Sequence, residues 1–399
     1  MKLFQRLLVA PAALGLISPL AANATEVNLN EIANYSDVES FEVTNSFDNV
    51  QPTNSPLLVG GEGLVGGNSY DGGFSETTTA SFSVDMAIGA VDGLSENTAG
   101  TEAQIEGDQT LQAVYGFQID LNTSFTGEDS LDVSLDAGNG ATTGPLAEYD
   151  LNGGNDGLTV DGVSYTFPVG DSITAIVGDN TDGSALFTTA CAYGGPSNTL
   201  DDCGNVNAGI TNGGFAVGAA YDFDNGFTAA VGYAGPETDI MSKEGADAWG
   251  ANVAYTADSY GVSVTYGHVD SLTAGSTTTP DGEKDAYTAF NAYYSFDNGV
   301  SISGGYEFGD IGGALATADE SINYFVGVSA PVGPGELGGA FGTSGGQIEG
   351  QDEELMYEAY YSYPVNDGMT ITPLVYIKEN SETGTPDQTG VMVKTSFSF

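Results

Sequence analysis

The sequence predicts an all-β protein, folded as a transmembrane, antiparallel, up-and-down β-barrel of about 16 strands. Three observations predict this fold. From Ala80 onward, stretches of roughly ten residues with alternating hydrophobicity recur, separated by turn residues. The connections between these stretches alternate between short and long. A leader with the features of a secretory signal peptide comes before them.

The leader is the first element. Lys2 and Arg6 form a positively charged region, residues 7–20 form a short apolar region, and Ala22-Asn23-Ala24 is a cleavage site. The sequence therefore predicts a signal peptide over residues 1–24. The apolar region is too short for a retained membrane helix.

The composition excludes several classes of partner. The chain has 55 Asp and Glu against 6 Lys and Arg, and its formal charge is −49. Such a surface repels nucleic acid and anionic lipid. The 58 Gly, 21 Tyr and 19 Phe favour turns, strands and interfacial aromatic bands, to which Trp249 and Tyr255 are assigned.

The chain contains two cysteines, Cys191 and Cys203. In an oxidising compartment they are expected to form a disulfide that closes a short loop. The alternative is a reactive or metal-binding pair, but no His or basic residue lies nearby in sequence to favour a thiolate. The sequence contains no nucleophile–base pair, phosphate loop or metal-spaced cluster, so neither an enzyme nor a cofactor is predicted.

The region between the leader and the first strand, residues 25–79, is rich in Asn, Ser, Thr, Gly and acids. It lacks sustained periodicity and is predicted to be a flexible periplasmic segment. The barrel then takes residues 80–399. Its predicted strands are 80–90, 111–122, 130–137, 157–168, 171–178, 214–223, 227–235, 247–256, 260–269, 285–295, 299–309, 321–330, 335–344, 354–364, 368–378 and 389–399.

The connections support a barrel over a soluble β-sandwich. Short turns such as Asp224-Asn225-Gly226, Asp297-Asn298-Gly299 and Asn366-Asp367-Gly368 tolerate the positive φ of tight hairpins. Long loops alternate with them, as in bacterial barrels with short periplasmic turns. The last strand alternates up to a terminal Phe399, which resembles the C-terminal signature of outer-membrane proteins.

Four segments carry a more specific resemblance. They are residues 1–11 (MKLFQRLLVAP), 47–53 (FDNVQPT), 121–129 (LNTSFTGED) and 165–171 (YTFPVGD). In that order they resemble the leader, the start of the S-layer-homology domain and two early hairpins of cyanobacterial outer-membrane porins of the carbohydrate-selective porin family. The resemblance implies a channel in a Gram-negative-type, cyanobacterial outer membrane. Porins with 16 strands are often trimers, so a homotrimer is a candidate assembly.

Two departures from that family matter. The S-layer-homology region breaks off after Thr53, so the attachment to the cell wall that it provides in the family is not carried over. The strand after the Thr-Gly turn, residues 131–136, has no basic residue, whereas the family has Arg there. The family's preference for sugars is therefore not transferred.

Alternation assigns candidate pore-lining residues. If Leu131, Val133 and Leu135 face lipid, the residues between them face the pore. The inward set predicted in this way is Asp85, Asp120, Asp132, Ser134, Asp136, Asp222, Glu307, Glu358, Lys378 and Lys394. Acids that line a pore favour cations, although they can also serve only to hydrate a wide lumen.

The longest loop, residues 179–213, contains both cysteines. By analogy with 16-stranded porins it folds into the barrel and forms a constriction, which places Asp179, Asp182, Asp201 and Asp202 near the narrowest point. The alternative is an ordinary external loop.

The function expected from the sequence is an outer-membrane porin, a passive channel for small hydrophilic solutes and inorganic ions with weak cation selectivity. Its expected partners are outer-membrane lipid and those solutes. Two alternatives stay open: a secreted acidic β-rich surface or adhesion protein, and a barrel that is plugged and serves a structural role.

Overall fold

The computed structural model describes residues 77–93, 111–140, 146–153, 156–211, 214–238, 240–241, 247–270, 284–311, 320–381 and 386–399. The predicted signal peptide and all but the last three residues of the predicted N-terminal segment lie outside the described residues.

The described residues form one antiparallel sheet whose strands follow chain order. The strands are β1 (Thr78–Asp92), β2 (Gln112–Thr123), β3 (Ser130–Gly138), β4 (Thr159–Pro168), β5 (Ile173–Asp179), β6 (Phe215–Asp222), β7 (Phe227–Gly235), β8 (Ala248–Thr256), β9 (Tyr260–Asp270), β10 (Lys284–Ser295), β11 (Ser301–Asp310), β12 (Glu320–Val332), β13 (Gly335–Thr343), β14 (Gln347–Ile348), β15 (Leu355–Asn366), β16 (Met369–Lys378) and β17 (Gln388–Ser398).

The sheet closes on itself because the first strand pairs on both sides. Ala87 of β1 lies opposite Val114 of β2 on one edge and opposite Lys394 of β17 on the other. All sixteen predicted strands are present, so the predicted closed barrel is confirmed. The additional strand β14 is a two-residue extension that pairs with β12 inside a predicted loop.

The turns after β6 and β10 form with the positive φ that their sequences predict, whereas Asn366, Asp367 and Gly368 do not have a positive φ and the register of β15 and β16 shifts just before that turn. Asp224 and Gly226 have φ angles of 58° and 88°, and Gly299 has 83°. The Asn225 side chain accepts a hydrogen bond from the N–H of Phe227 at 3.2 Å, which closes the β6–β7 turn. Positive φ is available to Gly and tolerated by Asp and Asn, and this explains the residues used.

The two faces of the barrel wall differ in chemistry. On the outward face, large apolar side chains are exposed on strand after strand; Met86, Val231 and Val253 are 53%, 59% and 52% exposed. On the inward face, Asn, Ser, Thr, Asp and Glu alternate with Gly and Ala. Because side chains alternate along a strand, one pattern produces both faces.

Aromatic rings gather at both ends of the outward face. Near the short turns the neighbouring rings include Phe82 with Phe399, Tyr221 with Phe223, Phe227 with Tyr255, and Tyr294 with Phe296. Near the long connections Trp249 stacks on His268, with 5.3 Å between ring centroids. Trp249 and Tyr255 thus lie at opposite ends of the wall. No helix among the described residues is long and apolar enough to cross a membrane.

Candidate functional site

Two connections fold into the interior of the barrel, the lumen. The first, residues 180–211 between β5 and β6, is called the long inserted segment. The second, residues 146–153 between β3 and β4, is called the short inserted segment. Both contact side chains on the inward face, and together they decide which inward residues remain in reach of water.

The long inserted segment lies along the wall and bonds to it through its main chain. Three N–H groups at alternate positions donate to polar side chains of three different strands. The pairs are Thr188 to Asn252 on β8 (3.0 Å), Ala190 to Ser263 on β9 (2.9 Å) and Ala192 to Ser303 on β11 (2.9 Å). These side chains give the segment's amide groups the partners that they need inside the protein.

Glu307 on β11 anchors the same segment. Its side chain is completely buried and accepts hydrogen bonds from the N–H groups of Asn207 (2.8 Å) and Ala208 (2.7 Å). The side-chain amides of Asn207 and Asn323 donate to its other oxygen, at 2.8 and 2.7 Å. Four N–H donors therefore take the place of water around this carboxylate. Charge-assisted hydrogen bonds of this kind are strong, so Glu307 holds the segment to β11.

Glycines on the inward face let the segment approach closely. A Cβ atom on Gly232 would lie 1.8 Å from the carbonyl oxygen of Gly183, and one on Gly305 would lie 1.8 Å from that of Cys203. No side chain fits at these distances. The predicted disulfide between Cys191 and Cys203 is present, and the amide of Asn291 on β10 donates to the Cys203 carbonyl at 2.9 Å.

An apolar cluster fills one side of the lumen. Side chains of both inserted segments pack against the inward face of β1, β12, β15, β16 and β17. Its buried members are Ala87, Val91, Leu146, Tyr149, Leu151, Tyr193, Leu200, Cys203, Phe325, Met356, Tyr360, Leu374, Tyr376 and Met392. Protein therefore occupies this side, whereas the inward acids of β2 and β3 are only half-buried.

The structure places several predicted pore-lining residues on an open part of the wall. Asp85, Asp120, Asp132, Ser134 and Asp136 lie on the inward face of β1 to β3 and are half-buried. Polar neighbours hold three of these acids: Ser134 and Gln118 donate to Asp120 at 2.8 Å, Asn122 to Asp132 at 2.6 Å, and Thr159 to Asp136 at 2.6 Å. No basic side chain pairs with these acids in the described part of the chain.

Other predicted residues lie in different surroundings. Glu307 and Glu358 point inward, but the long inserted segment buries both, and Glu358 accepts a hydrogen bond from the Tyr193 hydroxyl at 2.6 Å. They face protein because amide and hydroxyl donors of that segment have displaced water. Asp222 is exposed at the short-turn end of β6, where it accepts a hydrogen bond from the N–H of Asp224.

The two predicted inward lysines contact the short inserted segment. Lys378 forms an ion pair with Glu148, with 2.9 Å from Nζ to Oε1. The ammonium of Lys394 lies 5.5 Å from the centroid of the Tyr149 ring. Neither Glu148 nor Tyr149 was singled out from the sequence, because the irregular stretch that contains them gives no sign that it enters the barrel.

Among the acids predicted to lie at a constriction, Asp179 requires a correction. It is the last residue of β5 and shares the outward face with Ile173 and Val177, which are exposed. Its register opposite the outward Val163 places it at the rim, outside the lumen. The predicted loop begins at Asp179, whereas β5 continues through this residue and its alternation sets the direction of the side chain.

Asp182, Asp201 and Asp202 lie on the long inserted segment with exposed side chains. Although water reaches them, the surrounding protein partly desolvates these carboxyls. This desolvation, together with the charge of Asp202, raises the pKa of Asp201 to about 7. Desolvation and the charges of Glu307 and Asp182 raise the pKa of Asp202 to about 6. Desolvation also raises the pKa of Asp182.

Two further acids extend this lining. Asp150 follows the short inserted segment's turn and interacts with Asp201. Asp161 sits where the register between β3 and β4 shifts at a bulge, and its charged neighbours are Asp136 and Asp120. A bulge reverses the alternation, so Asp161 could be found only once the register was known. The described residues contain no group of three or more His, Cys, Asp or Glu arranged to hold a metal ion.

Comparisons with known proteins agree with this geometry. The sequence matches no protein-family model and no curated protein. The fold is similar to that of an anion-selective porin from Comamonas acidovorans, with a TM-score of 0.58 and 16% identity over 81% of this chain and 99% of that one.

Two other solved structures are similar in fold. OprB of Pseudomonas putida has a TM-score of 0.57 and 10% identity, covering 81% of this chain and 94% of that one. A loop-deletion mutant of OmpT, an outer-membrane protein of Vibrio cholerae, has a TM-score of 0.56 and 12% identity, covering 81% and 99%. At these identities the likeness shows a shared barrel fold.

Proposed function

We propose that this chain is an outer-membrane porin, a passive diffusion channel for small hydrophilic solutes and inorganic ions. One observation carries the proposal: the closed barrel exposes apolar side chains outward and keeps water-accessible carboxylates inward. The proteins with a similar fold are named as porins or outer-membrane proteins, and this supports the proposed function.

The outward face supports a position in lipid. A water-soluble protein rarely exposes a continuous apolar band, whereas a barrel in a membrane requires one. Closure of the sheet also gives every strand a hydrogen-bonding neighbour on both sides, and backbone groups at membrane depth need such partners. The aromatic bands at both ends suit the two membrane–water interfaces.

The contents of the lumen are evidence for a narrow path that is lined by acidic side chains. The long inserted segment and the apolar cluster occupy one side, so solutes pass between that segment and the open wall. Asp182, Asp201 and Asp202 line one side of this path, and Asp120 and Asp132 line the other. Acids on both sides favour cations over anions, and we therefore propose weak cation selectivity.

The finer assignments rest on the sequence resemblance for the location and on the number of strands for the assembly. We propose a Gram-negative-type outer membrane as the location and a homotrimer as the assembly. A cyanobacterial envelope is proposed from the four short segments of sequence resemblance, and the family's preference for sugars is not part of the proposal.

Reconstitution in a planar lipid bilayer tests the function. The expected result is stepwise single-channel conductance and, under a KCl gradient, a reversal potential that favours potassium. A reversal potential that favours chloride would contradict cation selectivity. A folded protein that is freely soluble without detergent would contradict the porin and favour a secreted surface protein.

A second experiment tests whether the long inserted segment narrows the channel. The double variant Cys191→Ala/Cys203→Ala removes the disulfide. In the chain-entropy model, a disulfide that closes a loop of this length raises the free energy of unfolding by roughly 3 kcal/mol. A looser segment should change the conductance and increase current noise. The same conductance and noise in a folded double variant would favour a segment that lies outside the path.

A further inference from the structure

The short inserted segment lies against the basic part of the inward wall. Lys378 and Lys394 lie on the neighbouring strands β16 and β17, and both point inward. They are the basic residues on the inward face whose side chains the structure describes. In an acidic lumen, two free ammonium groups would attract anions and oppose cations at the place where they stand.

Glu148 meets the first of these charges. Its carboxylate pairs with Lys378 at 2.9 Å, and its side chain is 9% exposed whereas that of Lys378 is 27% exposed. Two further donors hold the same carboxylate: the N–H of Thr199 at 3.2 Å and the Thr199 hydroxyl at 3.0 Å. Glu148 is therefore fixed between the wall and the long inserted segment, and it neutralises Lys378 in place.

Tyr149 meets the second charge. Its ring lies under the Lys394 ammonium, and its hydroxyl donates to the carbonyl of Thr372 on β16 at 3.4 Å. The side chain is only 5% exposed. A ring face stabilises a cation and shields it from the lumen, although it leaves the formal charge unchanged.

The backbone makes this placement specific. Residues 147–149 form a single 3₁₀ turn, which ends at Asp150 with φ of 42°. The turn places Glu148 and Tyr149 side by side over two adjacent strands. Leu146 and Leu151, on either side of it, are buried in the apolar cluster. The N–H of Gly140 bonds to the carbonyl of Asn152 at 3.0 Å, and this ties the segment back to the end of β3.

We propose that the short inserted segment masks the inward lysines, and that Glu148 is a specificity-determining residue for the passage of ions. This inference rests on the proposed channel function and deepens it. With Lys378 neutralised, the carboxylates of the open wall and of the long inserted segment set the field that permeating ions meet. Selectivity then depends on a residue whose role is to cancel a positive charge.

Reversal potentials under a KCl gradient test the proposal in three variants. Glu148→Gln keeps the shape but leaves the Lys378 charge without its counterion, and the cation-to-anion permeability ratio should fall about two- to fivefold, as expected for one charge at roughly 5–10 Å in a watery channel. Lys378→Met leaves Glu148 negative and should raise the ratio. The double variant should return it close to the wild-type value.

The double variant separates charge masking from a structural role. If Glu148 only held the segment in place, adding Lys378→Met would not restore selectivity. Asp224→Asn is the matched control, since it removes one negative charge in a short turn outside the lumen, at a positive φ that Asn tolerates. It should leave the ratio unchanged, and a heat-modifiable gel band should show that each variant is folded.

Two results would overturn the proposal: an unchanged ratio in folded Glu148→Gln, or a double variant that behaves as Glu148→Gln alone. Both differ from failure of the channel function, in which the wild-type protein itself would conduct no ions. They also differ from failure of cation selectivity, in which the wild-type protein would favour chloride.

Discussion

The inward wall of the barrel has a covered part and an open part, and the same side-chain alternation produces both. On the covered part, Glu307 is completely buried and bonded to four N–H donors. On the open part, Asp132 is half-buried among hydroxyl and amide groups and stays in reach of water. An inward carboxylate thus either anchors a segment or stays in contact with water, depending on what lies against it.

The covered wall also differs in its residue types. Its inward positions carry Asn252, Ser263, Asn291 and Ser303, whose short polar side chains reach the main chain of the long inserted segment. Glycines such as Gly305 stand between them. The open wall carries Asp at corresponding inward positions. Glycines and short polar side chains thus accompany the bound segment on the covered wall, where the acids Glu307 and Glu358 are buried against it. On the open wall, similar hydroxyls and amides bond instead to acids that water still reaches.

The variant Glu307→Ala should have the largest effect on the difference between the covered and the open wall. The change leaves several buried N–H groups without an acceptor, which should destabilise the attached segment by on the order of 3–5 kcal/mol. The segment should then detach from β11, and single-channel conductance should rise. Asp222→Ala removes an inward acid that holds no part of that segment, so its conductance should stay near the wild-type value. Equal conductance in all three folded proteins would show that Glu307 is no anchor.

A smaller effect is expected from the adjacent glycines of β11. Gly305 faces inward, and a Cβ there would collide with the Cys203 carbonyl oxygen; Gly304 faces outward, and a Cβ there would lie 3.7 Å from its nearest neighbour. Gly305→Ala should therefore cost about 1–3 kcal/mol and loosen the segment. Gly304→Ala should be close to neutral. Urea titration in detergent micelles gives both values, and similar values for the two variants would contradict close contact.

The contrast also explains how far the sequence could predict the structure. Strand positions, barrel closure and the turns after β6 and β10 follow from local alternation and turn chemistry, and these predictions are confirmed, as is the disulfide. The burial of Glu307 and Glu358 could not be foreseen, because it depends on a segment that reaches them across about 100 to 165 residues of chain. Asp179 was misplaced because its strand extends one residue beyond the predicted end.

The smallest expected effect concerns the acids that face the open wall from the long inserted segment. With pKa values of about 7 for Asp201 and about 6 for Asp202, both carboxyls are largely protonated at pH 5 and largely ionised at pH 8. Cation preference should therefore rise across this range, by about two- to fivefold for charges acting through water. Because these folded-state pKa values are raised, the same deprotonation should lower folding stability as the pH rises.

Reversal potentials between pH 5 and pH 8 measure this effect. In Asp201→Asn/Asp202→Asn the rise should disappear, and the ratio at pH 8 should approach the wild-type ratio at pH 5. Asp132→Asn, which removes a carboxyl from the open wall, should lower the ratio but keep its rise with pH. If Asp132→Asn abolished the rise and the double variant kept it, the charges that titrate would belong to the open wall. The open wall, and not the long inserted segment, would then carry the charges that make selectivity depend on pH.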